Sequence, residues 1–121
     1  MTEEDKIQFS VLELLRWAAN EDTIFFAVPN GLPAKARTVH RFKKLGLRPG
    51  VADLCIVVRS LAHFMEIKTP EGRQSIQQKA FALQCEVAGV PYRIARSLDE
   101  AKVILQSWGA LRGNVRLREA A

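Results

Sequence analysis

Apolar residues recur at helical spacing across residues 3–19, where Ile7, Val11, Leu14, Leu15 and Ala18 share one face and Thr2 is placed to cap it. The period then changes. TIFFAV (23–28) is β-branched and aromatic and predicts a strand, closed by the loop PNGLP. AKARTVHRFKKLGLRPG predicts a short basic helix stopped near Gly46, followed by a turn at Pro49-Gly50. Two strands follow at 53–58 and 63–68, then a loop, TPEGRQ. SIQQKAFALQCEVAG predicts a helix with Ser75 as cap and Gly89 as stop. PYRIAR (91–96) is the last strand, and SLDEAKVILQSW is a second capped helix, with Ser97 and Glu100 in capping-box spacing. The order is α-β-(α)-β-β-α-β-α, a mixed α/β domain with the strand pair 53–68 at its centre and a helical crossover leading to the last strand.

That central pair, DLCIVVRSLAHFMEIKTP, carries Asp53 at one end and Glu66 and Lys68 at the other. Charges among core-facing residues are costly unless paired or metal-bound. With Ser60-Leu61 as the turn and Arg59 facing Ala62, Asp53 is expected opposite Lys68 and Cys55 opposite Glu66. All three charged residues then share one face of the sheet. Diagonal partners lie about 7–8 Å apart at the backbone. Both carboxylates can therefore reach one divalent cation, and a turn one residue longer or shorter would break that parity. Oxygen donors without His or Cys favour Mg²⁺ or Mn²⁺. Lys68 then stands where an ammonium can orient water or offset charge on a phosphorane. The competing reading is a surface ladder in which Lys68 simply pairs with Asp53 or Glu66.

Composition narrows the classes. The chain has 121 residues, enough for one domain over residues 1–121 and too few for two. It contains no apolar run near the roughly 20 residues a membrane helix requires, so no membrane partner is expected. MTEEDKIQFS lacks the basic start and apolar stretch of a signal peptide, which points to a cytoplasmic protein. Cys55 and Cys85 lack metal-site spacing and read as buried thiols. The net charge of +5 is unevenly spread. Thr23 to Ala52 holds no Asp or Glu, but does hold Lys35, Arg37, His40, Arg41, Lys43, Lys44 and Arg48. A block of one sign suits a polyanion, through counterion release; a solvated basic face is the plain alternative.

With an NG dipeptide after the first strand, GLRPGVADL, HFMEIKTPEGRQSIQQ and AGVPYRIARSLDEA, the chain resembles the VRR-NUC (virus-type replication-repair nuclease) family of the PD-(D/E)xK superfamily. The resemblance covers residues 4–108 and leaves 109–121 as an expected loose tail. It implies a restriction-endonuclease-like core and a Mg²⁺- or Mn²⁺-dependent phosphodiesterase acting on DNA. The metal would be held by Asp53, Glu66 and the backbone carbonyl of Ile67, with Lys68 as the catalytic lysine. The pattern's glutamine falls on Gln78, and its first-helix acid on Glu4, with Glu3 a competitor and Gln8 one turn along on the same face. One departure is Ala52, where the pattern has proline before the aspartate.

Each assignment has a structural rival. Gln78 stands at capping-box spacing from Ser75. Glu3, Glu4 and Asp5 all favour a helix start through the macrodipole. Asn30-Gly31 is a turn dipeptide whose amides could also touch a phosphate. Arg73 is expected beside the metal on a flanking phosphate, and His40 is a surface residue or phosphate contact. The first functional reading is a DNA endonuclease acting on branched or Holliday-junction DNA as a homodimer, since two cuts need two sites. Trp17 and Trp108, or the terminal helices, would supply the interface unless the core claims them. The alternative is a non-catalytic nucleic-acid-binding module using the basic 35–48 segment. A hydrolase of small phosphates leaves that segment unexplained.

Overall fold

The computed structural model describes residues 1–29 and 36–113, the side chains of Ala36 and Arg37 excepted. Among these residues the elements run α1 (Glu3–Ala18), β1 (Ile24–Ala27), α2 (Ala36–Lys44), β2 (Leu54–Val58), β3 (Leu61–Ile67), α3 (Ile76–Ala88), β4 (Tyr92–Ala95) and α4 (Leu98–Ser107), the predicted order. The sheet order is β1-β2-β3-β4. Its first two pairings are antiparallel, and β3–β4 is parallel, reached through α3 as a crossover.

Local chemistry sets the helix ends. Thr2 and Asp5 satisfy one another's backbone N–H groups in a capping box, which pulls the Asp5 carboxyl below its ordinary pKa. Ser75 and Gln78 form a second box, and Gly89 ends α3 in the left-handed conformation. Ser97 accepts from the Glu100 N–H. The Glu100 carboxylate reaches back to the Arg96 N–H.

Strand alternation divides the sheet into two faces. Leu54, Ile56, Val58, Met65 and Ile67 pack with Val11, Leu14 and Leu15 of α1 and Ile104 and Leu105 of α4 into the main core. His63 shares this face, its ring 4.9 Å from that of Trp108, which packs on the core. Trp17 is half exposed, under the Arg112 guanidinium. On the other face Phe64 meets Phe81 and Cys85 of α3, with Ala52 fully buried beside them. Both cysteines are buried free thiols. The expected loose tail is pinned at its start: Ala110 and Leu111 are buried, and Leu111 bridges to Ala19.

The hairpin register differs from expectation. Val58 faces Leu61, so the turn is Arg59-Ser60, not Ser60-Leu61. Both turn residues have positive φ, at 49° and 73°. This is the geometry that matches strand twist in a two-residue hairpin, ordinarily signalled by Asn or Gly. Moving a two-residue turn by one position shifts every partner by two and preserves parity. Extended by one pair from Leu54↔Met65, the ladder puts Asp53 level with Glu66, where Lys68 had been expected.

Candidate active site

Asp53, just before β2, is held twice. Its carbonyl accepts from the Val28 N–H at 2.8 Å, and its Oδ2 accepts from the Ile67 N–H at 2.7 Å. In an extended strand the N–H and C=O of one residue point to the same neighbour. Ile67 therefore turns its carbonyl toward Asp53 as well. The next N–H, of Lys68, donates to Ala95 on the opposite side, as the alternation requires.

Glu66 is 1% exposed. Its Oε2 accepts from Gln78 Nε2 at 2.9 Å and lies 3.8 Å from Lys68 Nζ, while Oε1 is buried with no hydrogen-bond partner. The Glu66 carboxyl is pushed up to about 8. Burial is the main cause, followed by the charge of Asp53 and the hydrogen bond the two carboxyls make only when one holds a proton; Lys68 opposes the shift and Glu4 adds to it. A buried, unsatisfied carboxylate oxygen facing a second acid is expensive for a merely structural hairpin.

Gln78 serves both of its rival roles at once. Its Oε1 accepts from the Ser75 N–H at 2.8 Å. The cap demands the oxygen there, which turns the NH₂ group onto Glu66. Capping geometry thus aims the amide at the carboxylate.

These residues floor a cavity of about 530 Å³ between the sheet end, α1, α2 and α3. Glu4 lines it beside Asp53, Glu66 and Gln78, whereas exposed Glu3 is not among the lining residues. Val39, Phe42 and Leu47 form an apolar wall, and Arg48 stands at the rim with its guanidinium 5.1 Å from the Phe81 ring centre. Gly50 (φ +87°) lets the loop close on α3, since a Cβ there would lie 2.5 Å from the Gln77 carbonyl carbon.

Arg41, Lys43, Lys44 and Arg73 are exposed and are not among the residues lining the cavity. His40 is exposed on α2. Asn30, Lys35 and the Arg37 side chain lie outside the described residues. Arg48 was legible only as one charge in a block, because its ring partner lies in a distant helix. Arg96 gave no sequence signal: its Nη1 donates to the carbonyls of Thr69 and Gly72, both at 2.7 Å, and holds the loop after Lys68. Tyr92, whose hydroxyl accepts from Gln74, is pushed up to about 12, by burial first and by Glu66 next.

Two solved structures share this architecture. One, a "VRR_NUC domain", aligns with TM-score 0.65 over 89% of this chain and 99% of its own, at 14% identity. The chain has the fold of a VRR-NUC domain. A second, a "VRR_NUC domain protein", aligns with TM-score 0.66 over 87% of this chain and 86% of its own, at 20% identity. The mixed sheet flanked by helices is accordingly a restriction-endonuclease-like α/β fold. No protein-family model matches the sequence, and no curated protein does.

The donor set fits a hard divalent cation. Two carboxylates face each other, a backbone carbonyl is turned the same way, and the unsatisfied Glu66 oxygen lacks a positive partner. Among the described residues no three His, Cys, Asp or Glu side chains gather into a ligand group. A cation here would keep several waters, as Mg²⁺ does readily. No described helix is long and apolar enough to cross a membrane.

Proposed function

We propose that this protein is a divalent-metal-dependent DNA endonuclease. The observation that carries the reading is the pairing of Asp53 with buried Glu66 beside the Lys68 ammonium. Asp53, Glu66 and the Ile67 carbonyl would hold Mg²⁺ or Mn²⁺, supplying Lewis acidity to a phosphoryl oxygen and lowering the pKa of a water. Glu4 contributes negative charge from α1 at the cavity wall. Gln78 keeps the Glu66 carboxylate in one plane through its amide. Lys68, only 8% exposed and without a bidentate partner, offers a poorly hydrated ammonium to the charge that grows on phosphorus-bound oxygen.

The basic residues divide by position. Arg48 sits at the cavity rim, where it can meet a phosphate next to the cut. Arg41, Lys43 and Lys44 on exposed α2 are available to the backbone further away. The wall of Val39, Phe42 and Leu47 gives an unstacked base somewhere to lie, which supports substrates with unpaired nucleotides at the cut, such as branched DNA. A homodimer matches two cuts to two sites.

The test is cleavage of linear and branched DNAs with Mn²⁺ or Mg²⁺ titrated in, products mapped to the nucleotide, and Asp53→Ala and Lys68→Ala as controls. Metal-dependent cutting abolished by both changes is expected. DNA binding with no cutting in either metal would overturn the endonuclease in favour of a binding module.

A further inference from the structure

We infer that Arg96 is a positioning residue for the Lys68 ammonium, which it fixes by clamping the turn that follows the lysine; its consequence for catalysis rests on the nuclease reading. The need for such a clamp begins at Lys68. A lysine side chain is a flexible stem ending in a compact charge, and it wanders unless something packs along it. Glu66 Oε2 lies 3.8 Å from Nζ, near enough to attract the ammonium but too far for a hydrogen bond to fix it. What stands beside the stem therefore decides where the charge points.

Lys68 is buried, and the backbone that follows it comes back against its stem. The Gly72 N–H donates to the Thr69 carbonyl at 3.0 Å, which closes a tight turn over residues 69–72. A Cβ placed on Gly72 would stand 3.4 Å from Lys68 Cδ, near the charged end of the stem. The turn belongs to no helix or strand, and Pro70 and Glu71 at its tip are exposed. Left to itself, such a segment opens readily and takes the packing around the lysine with it.

Arg96 holds it shut. Its Nη1 donates to the carbonyls of Thr69 and Gly72, both at 2.7 Å, and lies 3.3 Å from that of Pro70. Bonds from a guanidinium are charge-assisted, and these two grip the first and last residues of the turn. The clamp is itself anchored. Arg96 directly follows Ala95 of β4, whose carbonyl accepts from the Lys68 N–H at 3.1 Å. The Arg96 N–H donates to the Glu100 carboxylate at 2.8 Å. One strand end thus carries the backbone of Lys68 and the bonds that close the turn beside its side chain. Arg96 is not among the residues lining the cavity, so its part in the reaction runs through Lys68.

The test compares wild type with Arg96→Met, which keeps most of the stem and loses the donors, and with Arg96→Lys, which keeps the charge. In metal-free protein, NMR relaxation of the Lys68 Cε methylene should show more motion in Arg96→Met, with faster hydrogen exchange at the Gly72 amide. In Mn²⁺ the kcat for DNA cleavage should fall roughly tenfold to a hundredfold at unchanged KM, because a misplaced group is missed only in the transition state. Affinity for Mn²⁺, read from the paramagnetic resonance of the free ion, should stay at the wild-type value, since Asp53 and Glu66 have other partners to hold them. Arg96→Lys should recover part of the rigidity and part of kcat. Thermal melts will show that the variants fold, and if Arg96→Met does not, Arg96→Lys carries the same readouts at smaller amplitude. Unchanged motion of Lys68 overturns the inference. So does a raised KM at constant kcat, which marks a DNA contact, or an Mn²⁺ affinity that falls in step with kcat, which marks general damage to the site. If the wild type cuts no DNA in either metal, the nuclease reading falls by itself. The NMR comparison needs neither metal nor DNA, and still upholds or overturns the hold of Arg96 on Lys68.

Discussion

Replacing Glu66 by glutamine should make the metal-free protein more stable, and increasingly so as pH rises. In the unfolded chain this carboxyl titrates near 4.5; in the fold it is held at about 8. At pH below 4.5 both states keep the proton, and ionisation costs nothing. Between the two values the unfolded state releases its proton while the native state retains it, so stability falls as pH climbs. Above about 8 the native state must carry the buried charge and the full penalty is present. At about 1.36 kcal/mol per pH unit, the gap comes to roughly 5 kcal/mol, a ceiling that local relaxation and water entry will lower to a few. Glutamine carries no such penalty. The attraction of Lys68 appears only as Glu66 ionises and is already counted in the value of about 8, so its absence from the variant does not add to the slope. The assay is urea unfolding of both proteins in a chelating buffer from about pH 5 to about pH 9. The advantage of Glu66→Gln should grow from near zero or below to a few kcal/mol. Adding Mn²⁺ should recover the wild type at high pH by mass action and do little for the variant. A difference that stays the same at both ends of the range would refute the reasoning.

Four further outcomes are expected. Gln78→Ala should cost about 1 kcal/mol as a lost cap. Gln78→Glu, read in the same unfolding assay, should keep the cap but steepen the fall of stability with pH, because a third acid then faces Glu66. Gly50→Ala should lower stability by at least about 2 kcal/mol in thermal melts, since the new methyl would meet the Gln77 backbone at a residue with positive φ. Lys43→Ala and Lys44→Ala should each reduce the slope of log Kd against log salt for duplex DNA by about 0.9 if the residue contacts a phosphate, as fluorescence anisotropy will show.

Most elements were legible because their signals are local. The period-3.6 pattern of α1, the caps at Thr2, Ser75 and Ser97, and the stop at Gly89 act within a few residues. The register of β2 and β3 was less legible. No Asn or Gly marks the turn, and Arg59-Ser60 takes up positive φ because strand pairing on both sides enforces it. The shared face of Asp53, Glu66 and Lys68 was readable all the same, since any two-residue turn in this hairpin preserves parity. Arg96 illustrates the opposite case: nothing in the sequence marked it, because the carbonyls of Thr69 and Gly72 that its guanidinium gathers lie more than twenty residues away.

What the amino-acid order determined by itself was the list of helices and strands, the acid–acid–lysine set and its common face, all of which follow from periodicity and short-range hydrogen bonding. Only the tertiary structure decided that Glu66 would be buried with one oxygen unsatisfied, and that Gln78 would cap a helix and hold that carboxylate with the same amide. Those are facts about which surfaces meet, and burial, unlike periodicity, is a property of the whole packed chain.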